Sequence, residues 1–355
     1  MAVLPRSPCL PPELFRTVFE NLDGHRPTLF NLSLCNQFLR EDAERELYAE
    51  VDESSATNAT LHIAFLSTIT RSPRLAAFVR VYHSINIVHY NETPLWDLLK
   101  RALKIMSGLK VLHFRSFGGH PAGELLVDAR CTLERLHWAN HSEGPAMSTV
   151  LSQQKQLRYL YLESRHGTVF PEGCVPHLNE LAGNRVTLEA LLPGRCVRTV
   201  SWIPELQDVA FGSGGVPRIE GELGNLVTLS YGGYFARPHL GLVVDHLYRL
   251  QKLELVGLLF EETMLIKRLK ALRELVFSYK WGSRYLPIPC NSEARKELVE
   301  ELFSCCPNLA CIDIAHEWTT ISEIWYQRWM RGSSPVRVSL MEVKCGRFGG
   351  KSTEC

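Results

Sequence analysis

The residue groupings with chemical potential are few. His137 and His141 stand four apart, a separation that on a helix sets two imidazoles side by side for a metal ion. His137, however, lies inside the strand-like run LERLHW, where that spacing loses its meaning, and no metal site is expected there. Cys305, Cys306 and Cys311 surround a helix-to-strand junction without further Cys or His at a zinc-binding separation, so they are read as buried thiols. The run Gly212 to Gly215 lacks the strand, helix and acidic partner of a dinucleotide fingerprint, and no phosphate-binding lysine follows it. No Gly-x-Ser-x-Gly elbow or His-Glu-x-x-His helix occurs, and Cys345 has no identifiable base. Trp325, Tyr326 and Trp329 beside Arg328 and Arg331 have the composition of a base-stacking platform, but near the end of a neutral chain they are read as sealing the last structural repeat. The expectation is a protein that is not an enzyme and uses no cofactor or metal.

Composition narrows the partners. Lys plus Arg number 39 against 38 Asp plus Glu, which argues against nucleic acid or an anionic membrane as the main partner. No apolar run approaches the roughly 20 residues that span a bilayer. The start, MAVLPRSPCLPPEL, has no long apolar region after a basic cluster and does not read as a signal peptide. Eleven cysteines, scattered from Cys9 to Cys355, form no disulfide-scaffold spacing. A cytoplasmic or nuclear location is expected, and the sequons beginning at Asn31, Asn58, Asn91 and Asn140 are then chance matches.

Behind these side chains the sequence repeats. The template apolar-x-x-apolar-x-apolar starts at Leu109, Leu133, Leu157, Leu178, Val197, Leu226, Leu250, Leu272 and Leu309, at intervals of 19 to 29 residues except for a last interval of 37. Gly183 replaces the final apolar residue of the copy at Leu178. LQDVAF from Leu206 also fits but follows too closely, and Pro204 makes it a helix carrying Leu206, Val209 and Ala210 inward. Between copies, amphipathic helices are predicted. Thr93 and Pro94 start one that buries Leu95, Leu98, Leu99, Ala102, Leu103 and Met106. Others carry Val243, Val244, Leu247 and Leu250, and Leu298, Val299, Leu302 and Phe303 after a cap at Asn291 or Ser292. One more runs from His62 to Arg74 into FVRVYHSINIV, a first strand region. Units this small are stable only when stacked.

The N-terminal segment is of another kind. Pro11 and Pro12 introduce a helix with Glu13 in its first turn. Leu14, Phe15, Val18, Phe19 and Leu22 fall within roughly 140° of a helical wheel. Asp23, Gly24 and Pro27 break it, and two further apolar runs, Leu29 to Leu34 and Cys35 to Leu47, follow. Three helices in about 40 residues are too few to enclose all this apolar surface, so another surface must cover part of it.

This module resembles the F-box. Leu10, Pro11, Glu13 and Leu14 stand at its opening Leu-Pro-x-Glu-Leu, and Val18, Phe19 and Leu22 on its first helix. Leu32, Leu34 and Cys35 match its Leu-x-Leu-Val-Cys element with Leu34 for the usual Val, and Phe38 stands where Trp is common. With the repeats, the chain is similar to F-box proteins carrying irregular leucine-rich repeats, although the Asn or Cys that normally ties each repeat's turn is not regularly present. The expected fold class is α/β, a three-helix F-box followed by an irregular leucine-rich-repeat solenoid shaped as a horseshoe. The expected domains are a flexible leader (1–9), the F-box (10–48), the solenoid (51–345) and a flexible tail (346–355).

The resemblance implies a substrate-recognition subunit of a Skp-cullin-F-box ubiquitin ligase. Leu10, Pro11, Glu13, Leu14, Val18, Phe19, Leu22, Leu32, Leu34, Cys35 and Phe38 would bind a Skp-family adaptor, and through it a cullin. The repeats would hold a target protein. The alternative is an interaction scaffold that binds the adaptor without cullin-linked ubiquitination. Strand alternation turns the third and fifth template residues away from the core. That rule puts Val111 with His113, Arg135 with His137, and Tyr159 with Tyr161 on one face, Arg115 and Glu163 just beyond. His113, Arg115, Arg135, His137, Tyr159 and Tyr161 are the candidate target contacts. Thr199, Ser201, Thr228, Ser230, Lys252 and Glu254 are read as plain solvated surface.

Overall fold

The computed structural model describes residues 12–22, 25–35, 37–52, 59–87, 94–116, 121–140, 143–163, 169–205, 219–233, 237–257, 260–278, 292–316 and 325–343. The fold is mixed α/β and divides into two compact units, residues 1–137 and 138–355. The expected leader and tail, the caps Thr93 and Asn291, the helix carrying Leu206 and the run Gly212 to Gly215 all lie outside the described residues.

The first unit opens with α1 (Pro12–Glu20), α2 (Arg26–Cys35) and α3 (Gln37–Ala49). Phe19, Leu29 and Ala43 form their core, and Phe15, Leu22, Leu32, Leu39 and Leu47 pack around it half-buried. β1 (Glu50–Asp52), α4 (Ala59–Arg71), α5 (Pro73–Phe78) and β2 (Val81–Ile87) follow. The single helix expected from His62 to Arg74 is thus two, because Pro73 cannot donate a backbone hydrogen bond and starts a new helix instead. Arg45 and Arg74 both lie over the Phe78 ring, at 5.6 and 5.5 Å, and Arg74 pairs with Glu44, which ties α3 to α5. α6 (Pro94–Ile105) buries Leu95, Leu98, Leu99, Ala102 and Leu103 at helical spacing, with Met106 buried just after it. Between β3 (Val111–Ser116) and β4 (Arg135–Ala139) the described residues include a 3-10 turn, Gly123–Leu125, and the division between units falls inside β4.

In the second unit the strands are β5 (Tyr159–Leu162), β6 (Glu180–Gly183), β7 (Thr199–Trp202), β8 (Thr228–Tyr231), β9 (Lys252–Val256), β10 (Glu274–Ser278), β11 (Cys311–Ala315), β12 (Trp325–Met330) and β13 (Val336–Ser339). From β5 to β11 each strand pairs parallel with the next, and β12 and β13 complete the sheet antiparallel. Their connections include α7 (Pro145–Gln153, before β5), α8 (Arg185–Leu191), α9 (Glu220–Leu223), α10 (Thr263–Ile266) and α11 (Ser292–Cys305), and α12 (Leu340–Val343) follows β13. The helix predicted through Val243 and Leu247 is a pair of 3-10 turns, Leu240–Leu242 and Val244–His246. Leu240 and Val244 are buried at that spacing all the same.

Each of the nine template copies begins its strand at its third residue, from Val111 to Cys311. Their first and fourth residues are all buried, Leu109 and Leu112 through Leu309 and Ile312. The exceptional Gly183 has a steric cause. A Cβ there would stand 2.3 Å from the Leu162 carbonyl oxygen, and Thr187 of α8 fills the space, its hydroxyl donating to that same oxygen at 3.0 Å. Asn184 caps α8 by accepting from Thr187 N at 3.0 Å.

Candidate functional site

Two surfaces of the first unit carry the candidate residues other than Tyr159 and Tyr161. On the helical module the apolar arc of α1 is split by packing. Phe19 is 2% exposed, whereas Leu14 and Val18, one helical turn apart, are 48% and 51% exposed. Leu34 at 62% and Phe38 at 53% are likewise open, Leu32 is half-buried, and Cys35 is exposed with its thiol donating to Asn31 O at 3.3 Å. Phe38 also meets Phe15 edge to face, their centroids 5.6 Å apart. Phe19, Leu22 and Leu32 therefore belong to the module's own core, and Leu14, Val18, Leu34 and Phe38 face outward. Glu13 falls in α1, and Leu10 and Pro11 lie outside the described residues. Phe30, 53% exposed and one turn from Leu34 on α2, joins the outward set. Its place in the second apolar run was visible, but its outward direction was not.

The second surface is a sheet face. His83 of β2 is in register with Asp52 of β1 on one side and His113 of β3 on the other. The His83 and His113 rings stack at 4.3 Å with 13° between planes, and His113 and His137 stack at 5.3 Å and 2°. A carboxylate and three imidazoles thus form one row, with Arg115 beyond His113 on β3 and Arg135 before His137 on β4. His113, Arg115, Arg135 and His137 come together, as strand alternation requires. His83 was missed, although Val79, Tyr82 and Ser84 occupy the first, fourth and sixth template positions and so place His83 at the fifth, the position of His113 and His137.

All three imidazoles are held below the usual histidine range, and burial is the main cause in each. His83 is opposed in this by Asp52 and Glu50. His113 falls to about 4, helped by His83 and Arg135, and His137 to about 3, helped by His113, Arg115 and His83. At neutral pH the row is uncharged, with acid at its β1 end and guanidinium at its far end. Parallel stacked rings direct their nitrogens side by side rather than at one point. Among the described residues no three His, Cys, Asp or Glu side chains converge for a metal ion.

Tyr159 and Tyr161 belong to the second unit. Tyr159 is 5% exposed, so its third template position does not leave it open to solvent, and Tyr161 is half-buried and donates to Glu163. The solvated reading of the later strands also needs correction. Ser201, Ser230 and Glu254 are buried, and Glu254 accepts from the hydroxyls of Ser230 and Ser278, each at 2.6 Å. Ser278 also meets the Tyr326 hydroxyl at 3.0 Å, while Arg328 grips Asp313 with two bonds of 2.7 Å. These polar side chains are buried because they satisfy one another, a pairing that alternation within a single strand cannot reveal. Trp325 is covered by His316 at 3.9 Å and by Arg337 at 4.7 Å, and Tyr326 and Trp329 are buried. Cys306 is buried and Cys305 and Cys311 half-buried; burial pushes the Cys306 thiol up and that of Cys311 to about 11.

No model of a known protein family matches this chain, and no curated protein matches it either. Among the described residues no helix is long and apolar enough to cross a membrane.

Proposed function

We propose that the chain is a substrate-recognition subunit of a Skp-cullin-F-box ubiquitin ligase. The observation that carries this reading is the open apolar surface of α1 to α3, where Leu14, Val18, Phe30, Leu34 and Phe38 stay about half exposed or more around the buried apolar core of Phe19, Leu29 and Ala43. A module of this size exposing that many large apolar side chains is a docking element, and its sequence order is the one expected of an F-box. The strands and turns that follow read as leucine-rich-repeat-like units of a solenoid, each with its first and fourth apolar residues buried, and their polar face is the place for a target. The chain makes no bonds itself. It raises the effective concentration of target lysines near activated ubiquitin through the adaptor and cullin. The test is affinity purification from the native cell with the intact chain and with residues 10–48 deleted. Skp adaptor and cullin should co-purify with the intact chain alone, and adaptor without cullin would instead indicate a scaffold.

A further inference from the structure

The rim where the chain enters the parallel strands of the second unit is basic. In each template copy there the second residue leads directly into its strand, and backbone bonds stack these residues in a row. Asn179 N donates to Arg158 O at 2.9 Å, Arg198 N to Asn179 O at 3.0 Å, Val227 N to Arg198 O at 2.9 Å, Gln251 N to Val227 O at 2.9 Å and Arg273 N to Gln251 O at 2.7 Å. The row is thus fixed from β5 to β10, a span of about 24 Å at the usual strand separation. Lys155, Arg158, Arg198, Arg249, Lys270 and Arg273 stand on it, all exposed. The first two residues of each copy from Leu157 to Leu309, with the two residues before them, include no Asp or Glu. Asp245 and Glu274, close by in sequence, are already paired with Arg268 and Lys252, and Glu180, one residue inside the rim on β6, is half-buried. Cations near helix ends often bond the terminal carbonyls, as Arg195 does with Cys174, Leu191 and Pro193, and Arg331 with Cys306, Pro307 and Leu309. None of the six side chains on the row makes such a bond, or an ion pair, among the described residues, so the fold does not tie up their charge.

We propose that this row docks an extended acidic segment of the target protein, its Asp and Glu side chains meeting Arg158, Arg198, Arg249 and Arg273. The inference rests on the target-receptor reading above. Charge complementarity carries it, and the spacing agrees. The arginines enter β5, β7, β9 and β10, so neighbours along the row are about 5 to 10 Å apart, and an extended chain puts alternate side chains about 7 Å apart on one side. About seven residues would cover the row. A single-stranded nucleic acid would also meet these cations, but such surfaces present successive aromatic rings for stacking. Here Tyr248 is the one exposed Phe, Tyr or Trp of the row among the described residues.

The test uses the full chain and a fluorescein-labelled Gly/Ser peptide of about ten residues with Asp at alternate positions, read by anisotropy at low and high salt. An analogue with Asn for each Asp and a labelled oligouridylate of about ten nucleotides serve as comparisons. At low salt the Asp peptide should bind at least about tenfold more tightly than the Asn analogue, and about 0.5 M salt should remove most of that advantage. Arg158→Gln with Arg198→Gln, and Arg249→Gln with Arg273→Gln, should each cost about three- to tenfold for the Asp peptide, as expected for two exposed ion pairs, with the melting temperature unchanged. Arg101→Gln with Lys296→Gln removes the same charge from exposed helical positions and should leave affinity within about twofold. Equal affinity for the Asp and Asn peptides, rim variants that bind as the wild type does, or an equal loss in the helical control would overturn the docking assignment. Tighter binding of the oligouridylate than of the Asp peptide would overturn the choice of an acidic polypeptide. A Skp adaptor is titrated in parallel. Adaptor bound with no Asp peptide bound defeats this inference alone, whereas failure of the wild-type chain to bind adaptor defeats the receptor reading.

Discussion

Replacing Leu14 and Leu34 together by alanine should weaken adaptor binding without unfolding the module. The two side chains are 48% and 62% exposed, so roughly half of each remains to be buried by a partner. Fully burying a leucine contributes about 1.5 to 3 kcal/mol, so the exposed part of each supplies about 1 to 1.5 kcal/mol. Together that is about 2 to 3 kcal/mol, a loss of roughly 30- to 150-fold in affinity. Because neither residue belongs to the core of Phe19, Leu29 and Ala43, the melting temperature should move little. Leu22→Ala makes the contrasting control. Leu22 packs half-buried against that core, so its truncation should lower stability as well as affinity and cannot report on the interface alone. Isothermal titration of each variant against a Skp adaptor, with circular dichroism melts on the same samples, separates the two effects. A folded Leu14, Leu34 double variant with wild-type affinity would refute the assignment of this face.

Acid should weaken the first unit. His62 is buried against the Tyr82 hydroxyl, its Nε2 at 2.5 Å, and burial lowers it to about 4. The unfolded chain therefore takes the proton first, and stability is lost as pH falls from about 6.5 to about 4, amounting to about 3 kcal/mol for this one group. Hydrogen exchange of α4 and β2 should show that pH dependence in the wild type and lose His62's share of it in His62→Gln, the share owed to His83, His113 and His137 remaining; a dependence unchanged by the substitution would contradict it. In the second unit, Arg237 and Glu262 form a buried two-bond pair, with Glu262 also accepting from Leu240 N at 2.6 Å. Arg237→Ala strands a buried carboxylate and should cost about 3 to 5 kcal/mol in urea unfolding; a cost under about 1 kcal/mol would mean that the carboxylate finds water. Gly183→Ala must push against the Leu162 carbonyl and should cost about 1 to 3 kcal/mol, measured as a lowered unfolding midpoint.

Apolar spacing located β3 to β11, because the template residues that must leave water recur there, whereas β1, β12 and β13 carry no copy of the template and were not read as strands. Leu109, Leu112 and Phe114 specify one strand's inner face with no help from the rest of the chain, and the same holds at Leu309, Ile312 and Ile314. Local chemistry likewise marked the helix beginning at Pro94, whereas the break at Pro73 was read through as one helix until the structure divided it. What the other face of the sheet does was settled only by its neighbours. Glu254 is a charged residue at an alternating position and reads as solvated until Ser230 and Ser278, each 24 residues away in sequence, supply the hydroxyls that allow its burial. The same is true of the histidines. Each lies singly at a fifth template position, and only parallel register sets their rings in a stack and puts Asp52 at its end. On α1 the wheel assigned Leu14 and Phe19 to one apolar arc. Three short helices enclose too small a volume to cover both, so packing kept Phe19 and left Leu14 exposed.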